Sequence, residues 1–233
     1  MNNIKSFVCR YRKLKKSKQI IFNKYFNFFN INYENKHLNF VKIFNNNLSI
    51  IIDIGFGIDN NIINFAIQNI KYNFIGIEVY FPGIINCLQK IIEKKIKNLK
   101  LIYYDAFSIF RNMIPDCSIK LVQFYFPDPW PKTKHKKRRL LKIDFLKIIF
   151  LKLINNGLLY IITDCQDYKD SIILNIKNIN YNNNKFIILK SNQYNNIYKN
   201  LNLYLLKSKF FKKAKIKKKK IYYIEYKKII LSK

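Results

Sequence analysis

From Leu48 onward, short apolar runs alternate with longer stretches in which apolar residues recur every three to four positions. Leu48–Ile54 is a continuous β-branched run ended by Gly55-Phe56-Gly57, which predicts a buried strand and a tight turn. Asp59 can cap a following helix with Ile62, Ile63, Ala66, Ile67 and Ile70 on one face. A second strand is expected over Tyr72–Glu78. Pro82 suits the first turn of the next helix, whose apolar positions are Ile84, Leu88, Ile91, Ile92 and Ile96. A third strand over Leu99–Tyr104 leads to a short helix over Phe107–Met113, and a fourth strand spans Ile119–Phe126. A longer helix over Leu140–Ile154 is expected to stop at Asn155-Asn156-Gly157, before a fifth strand over Leu158–Thr163. A helix over Tyr168–Ile179, a strand over Phe186–Leu189, a basic loop and a last strand over Ile221–Ile230 complete the pattern. Residues 20–47 are rich in Asn and aromatics and give no clear period beyond short helices.

Strands alternating with helices at this spacing predict an α/β fold with a mostly parallel sheet covered on both faces. In such sheets ligands bind beyond the carboxyl ends of the strands. Asp53, Glu78, Asp105, Asp128 and Asp164 all fall near those ends, five of only 13 acids in the chain, which favours a site over five unrelated loop or cap residues.

Composition changes the picture in one respect. The formal charge is +31, yet a drift towards Ile, Asn, Lys, Phe and Tyr would inflate lysine by itself. Clustering is the better guide. Residues 10–18, 132–139 and 207–220 hold 21 of the 44 basic residues and no acid, which implies a polyanionic partner, nucleic acid ahead of a membrane surface. Residues 1–20 read as a basic arm, and 21–233 as a single domain with a basic insertion at about 191–220. The four cysteines form no CxxC pair, so neither a zinc site nor a disulfide framework is indicated, and a cytosol-like, cytoplasmic setting is expected. No signal peptide is recognisable, and no uninterrupted apolar stretch approaches membrane-spanning length.

The densest chemistry lies at the end of the fourth strand, in Phe126-Pro127-Asp128-Pro129-Trp130-Pro131-Lys132 and the basic run to Arg139. Each proline fixes its own φ and biases the residue before it towards extended backbone, so Asp128 is held stiffly. A rigid acid, an aromatic plane and a cationic apron together suit a purine on a phosphate backbone. The turn Asp53-Ile54-Gly55-Phe56-Gly57-Ile58-Asp59 allows close approach of a nucleoside, but a dinucleotide fingerprint would want glycine where the chain has Asn60. Glu78 is spaced to bond ribose hydroxyls. These features leave NAD and S-adenosylmethionine both open. Asp105 favours the latter, since an acid there can receive an adenine amino group and a ring of acids would repel a pyrophosphate.

The order DIGFG, GIEV, DA and FPDPWPKTKHKKRR resembles the bacterial tRNA (guanine-N7)-methyltransferases over nearly the whole chain, down to Ser6-Phe7-Val8. The resemblance implies a Rossmann-like class I methyltransferase with a mostly parallel seven-stranded sheet and helices on both faces. It implies methyl transfer from S-adenosyl-L-methionine to N7 of a variable-loop guanine in tRNA, by a monomer or homodimer that needs no metal. Asp53, Gly55, Gly57, Glu78, Asp105 and Asp128 would contact the cofactor, and Asp128 would also be catalytic. Lys132, Asp164, Ser208 and Lys209 would contact the substrate. The chain departs from the family pattern in two places: Asp59 stands where glycine is usual, and T-K-F-E becomes Ser208-Lys209-Phe210-Phe211, losing the Glu.

Guanine N7 carries a lone pair and no proton, so no general base is needed to uncover it. A fixed carboxylate at 128 either follows the positive charge onto the purine or grips the N1–H and amino edge; gripping is favoured. Trp130 either stacks on the base or packs under its loop, and His135 is a phosphate or structural contact rather than a proton shuttle. The rival readings are an amino methyltransferase acting on another nucleic-acid base, and an RNA-binding protein that has lost catalysis.

Overall fold

In the computed structural model, which describes residues 16–59, 61–179, 184–190 and 209–230, the chain forms two compact units. One lies within Cys9–Pro115 and the other within Asp116–Lys233.

The first unit holds strands β1 (Ile50–Ile54), β2 (Asn73–Glu78) and β3 (Leu99–Tyr103), with helices α1 (Lys16–Phe29), α2 (Phe40–Phe44), α3 (Asn61–Gln68), α4 (Phe81–Glu93) and α5 (Ala106–Asn112). β2 pairs in parallel with both β1 and β3. Every residue of β1 and β2 is buried, as expected of parallel strands covered on both faces. Helix α3 buries Ile62, Ile63, Phe65 and Ala66, but Ile67 and Ile70 point to solvent, against the expected face. The helix stops at Gln68, where Asn69 donates from its backbone and its side chain to the Phe65 carbonyl, so Ile70 lies beyond the last turn. Part of the expected arm is helical: α1 sets the Phe22 ring edge-on to Phe81 of α4, with centroids 5.0 Å apart. Beyond α1 the chain is fastened to β3, since the Ile31 N–H donates to the Leu101 carbonyl at 2.8 Å and Lys100 Nζ donates to the Phe28 carbonyl at 2.7 Å.

The second unit holds β4 (Ile119–Tyr125), a 3-10 helix (Thr133–Arg138), α6 (Ile143–Lys152), β5 (Leu153–Thr163), α7 (Gln166–Ile179), β6 (Asn184–Lys190), α8 (Lys209–Ile216) and β7 (Tyr222–Ile230). β4 and β5 are parallel, whereas β7 runs antiparallel to both β5 and β6. Phe124, Phe145, Leu146, Ile149, Tyr168, Ile172 and Tyr226 are almost fully buried here. The expected helix stop at Asn155-Asn156-Gly157 is displaced: α6 ends at Lys152, and those residues belong to β5. Leu153 already pairs with Ile119, and buried Lys152 is ion-paired to Asp116 at 2.6 Å, so the chain enters the strand early. Asn155 Oδ1 accepts from the Ile230 N–H, and Asn156 at φ 62° accompanies an irregular register instead of a helix end. Part of the expected basic loop is the helix α8. Among the described residues no helix is long and apolar enough to cross a membrane, and no three His, Cys, Asp or Glu side chains are grouped to hold a metal ion.

Candidate active site

In the first unit, three of the expected acids stand at the carboxyl ends of three adjacent parallel strands. Asp53 is fully buried near the end of β1, Glu78 is the last residue of β2, and Asp105 follows β3. Gly55 and Gly57 both adopt positive φ, 74° and 58°, the region where a side chain is costly. No atom lies within 4 Å of where a Cβ would stand on either glycine, so the loop presents bare backbone to open space. Glu78 fastens that loop. Its Oε2 accepts from the Gly57 N–H at 2.7 Å, and its Oε1 accepts from the Val79 and Tyr80 N–H groups at 2.7 and 2.8 Å. Gly83 in α4 closes the arrangement from behind, because a Cβ there would stand 2.7 Å from the Gly57 carbonyl oxygen. Asp105 caps α5 through Oδ2, which accepts from the Ser108 N–H and hydroxyl. Burial, and secondarily the Asp53 charge, push the Cys87 thiol far up, so Cys87 stays neutral beside that carboxylate.

Open space over two left-handed glycines, flanked by three carboxylates, fits S-adenosylmethionine. The bare backbone admits a nucleoside, the acids suit a ligand with ammonium and sulfonium charges, and a pyrophosphate would be repelled.

In the second unit, Asp128 follows β4 and Asp164 follows β5, at the carboxyl ends of two paired strands. The loop around Asp128 is tightly held despite two bulky residues at positive φ, Phe126 (51°) and Trp130 (42°). The Phe126 N–H donates to the Ile162 carbonyl at 2.8 Å, and its ring lies nearly parallel to Phe210 of α8, with centroids 6.1 Å apart. Trp130 is packed within its own loop: the Arg138 guanidinium lies 5.1 Å from its centroid and the His135 ring meets it edge-on at 5.8 Å. Asp128 reaches the surface, yet its surroundings strip enough water from the carboxylate to raise its pKa above the ordinary value. Desolvation, followed by Arg138, Lys134, Lys132 and Lys137, lowers the pKa of His135, which is therefore a neutral imidazole at pH 7.

The other substrate candidates are distributed as follows. Lys132 is exposed, and its carbonyl accepts from the His135 N–H at the start of the 3-10 helix. Asp164 is ion-paired with Lys219 at 2.7 Å, a partner that no local signal singles out from the nine lysines over 207–220. Lys209 opens α8, and Ser208 lies outside the described residues.

The family model described as "Putative methyltransferase" matches residues 47–224. A tRNA (guanine-N(7)-)-methyltransferase of Buchnera aphidicola subsp. Baizongia pistaciae is 38% identical over 98% of this chain and 92% of its own. One from Pasteurella multocida is 35% identical over 73% of this chain and 67% of its own. The chain belongs to the tRNA (guanine-N7)-methyltransferase family. Solved structures show the same fold at low identity: a 30S ribosomal A1408 methyltransferase from an uncultured bacterium gives a TM-score of 0.57 at 16% identity, covering 83% of this chain and 96% of that one. The 16S rRNA methyltransferase KamB also gives 0.57, at 6% identity, covering 81% and 91%.

Against the family pattern, the departure at position 211 has a structural account. Phe211 is 1% exposed, with Lys215 Nζ 5.2 Å from its ring centroid, so this position fills the interior where the family pattern carries a glutamate. Asp59 lies in the turn between β1 and α3. The residues that sequence reasoning passed over are Arg139, Asp167 and Tyr168. Arg139 is submerged in a basic run and Asp167 opens an ordinary helix, so nothing in the sequence links them. Burial pushes the Tyr168 phenol up to about 12 and keeps it neutral.

Proposed function

We propose that this protein transfers the methyl group of S-adenosyl-L-methionine to N7 of a variable-loop guanine in tRNA. The observation that carries the reading is Asp128, clamped between prolines beyond β4 and followed directly by the basic 3-10 helix, in a chain that is 38% identical over nearly its whole length to a named tRNA (guanine-N(7)-)-methyltransferase.

The bound donor supplies an electrophilic methyl on a sulfonium. Asp53, Glu78 and Asp105 at the strand ends, with the bare backbone of Gly55 and Gly57, would hold it by its hydroxyl, amino and ammonium groups. Asp128 accepts from the N1–H and exocyclic amino group of guanine, which fixes the plane of the base and leaves N7 unobstructed. No proton leaves N7, so alignment of the base supplies most of the acceleration, the kind of positioning worth several kcal/mol. The Asp128 carboxylate also favours the positive charge that develops on the purine. Lys132, with Lys134, Lys137 and Arg138 around it, meets tRNA phosphates; Asp164, Ser208 and Lys209 contact the nucleotide. The enzyme works in the cytoplasm, where tRNA is available.

Incubation with a methyl-labelled donor and unmodified bulk tRNA, ribosomal RNA or DNA tests the reading. Label in tRNA alone is expected. Label in ribosomal RNA or DNA but not tRNA would overturn it, and binding of RNA without any transfer would favour a protein that has lost catalysis.

A further inference from the structure

Arg139 is 6% exposed, and its contacts run in three directions. Its Nε donates to the Pro129 carbonyl at 2.9 Å, its Nη2 pairs with Asp167 in the first turn of α7, and its guanidinium carbon lies 4.8 Å from the centroid of the Tyr168 ring. Tyr168 is fully buried, and its hydroxyl accepts from the Leu141 N–H at 3.1 Å. Lys136 shares the Asp167 carboxylate at 2.8 Å. One side chain thus ties the carbonyl next to Asp128 to a helix that is itself anchored in the core.

The loop needs such a tie. Phe126 and Trp130 both hold positive φ, a strained backbone for bulky residues that persists only where the surroundings over-determine it. Upstream of Asp128 the fastening is the Phe126 N–H on Ile162; downstream it is Arg139 on Pro129. A phosphate contact would need an accessible guanidinium, and Arg139 is buried with its Nε and Nη2 already taken by Pro129 and Asp167, unlike the exposed Lys132 and Lys134 of the same run.

We propose that Arg139 is a positioning residue for Asp128, acting through the Pro129 carbonyl with Asp167 as its anchor. The proposal rests on the tRNA methylation reading for its kinetic consequence but not for its structural one.

Trp130 is the only tryptophan, so its fluorescence reports on this loop alone. Arg139→Lys keeps the charge but loses the planar fork that reaches Pro129 and Asp167 together. In that variant acrylamide quenching of Trp130 is expected to rise at least about two-fold, as the loop opens locally. The kcat should fall about 10²-fold, as for a displaced catalytic group, with the KM for tRNA and its salt dependence unchanged. Asp167→Asn, at an exposed carboxylate, should shift both readouts the same way but less, and the double variant should be no worse than Arg139→Lys alone. Wild-type quenching in folded Arg139→Lys would overturn the proposal. So would a changed KM and salt slope at unchanged kcat, which would make Arg139 a phosphate contact. If Arg139→Lys does not fold, unchanged quenching in Asp167→Asn overturns it instead. A wild-type protein that methylates no tRNA would remove the proposed reaction, while the quenching comparison would still judge the strap.

Discussion

Gly83→Ala probes the donor cradle without touching a polar group. The added Cβ would stand 2.7 Å from the Gly57 carbonyl oxygen and 3.1 Å from its carbon, both backbone atoms that no rotamer change can remove. Reaching ordinary contact needs roughly 0.7 Å of relative movement between α4 and the glycine loop. Glu78 binds that loop through the Gly57 N–H and the residue leading into α4 through the Tyr80 N–H, so movement at one end strains the other. A misplacement of that size in a preorganised site is worth about 10- to 10²-fold. The dissociation constant for S-adenosylhomocysteine, measured by calorimetry, should therefore rise by that factor, about 1.4 to 2.7 kcal/mol. Stability should move little, because alanine in a helix gains about 1 kcal/mol over glycine and offsets part of the strain. Wild-type affinity in a folded Gly83→Ala protein would refute the placement of the donor over Gly55 and Gly57.

Three other perturbations probe the rest of the site and its surroundings. Asp128 has a raised pKa in the ligand-free fold, so its ionised form is disfavoured there; kcat/KM should fall on the acid side from above the ordinary carboxylate range, and that limb should vanish from the residual activity of Asp128→Asn. By the same sign, stability from this group is present below its unfolded pKa and is lost as pH rises through the raised folded one. Asp128→Asn should then melt at or above the wild-type temperature at pH 7; a lower midpoint would contradict the desolvation argument. Phe211→Glu, which restores the family residue, places a carboxylate at a 1% exposed position; it should cost about 3 kcal/mol or more and lower the Tm by about 6–12 °C without raising kcat. Replacing the exposed Lys212, Lys213 and Lys217 by Gln should weaken tRNA binding and reduce the slope of log K against log salt by about 0.7–0.9 for each phosphate left without its lysine, as measured by filter binding across salt; an unchanged slope would mean that these lysines are merely solvated.

Much of this was legible in the sequence because period and punctuation agreed. Ile50–Ile54 ending at a glycine pair, Asn73–Glu78 ending at an acid, and the apolar positions of Phe81–Glu93 each specify one element by local rules. The helix stop at Asn155-Asn156-Gly157 misled, since the same residues serve an irregular strand once Leu153 finds Ile119 and Asn155 finds Ile230. Those partners are distant in sequence, and local signals cannot weigh them. The acids were found as strand-end residues, but their second roles were hidden: Glu78 fastens a loop and Asp105 caps a helix, which only geometry reveals. The sequence leaves Trp130 open between stacking and packing; in the structure the Arg138 guanidinium and the His135 ring lie against it within its loop. The Arg139–Asp167 tie spans 28 residues and joins two unremarkable charges, so nothing in the sequence could mark it.

The central claim, that the clamped Asp128 presents a guanine for methylation at N7, is tested most directly by digesting methylated tRNA to nucleosides and identifying the product by mass and retention. The expected product is 7-methylguanosine with the wild-type protein, and nearly all of it should disappear with Asp128→Asn, at little-changed tRNA affinity. Methylation at an exocyclic amino group, such as N6-methyladenosine, or full 7-methylguanosine production by Asp128→Asn, would contradict it.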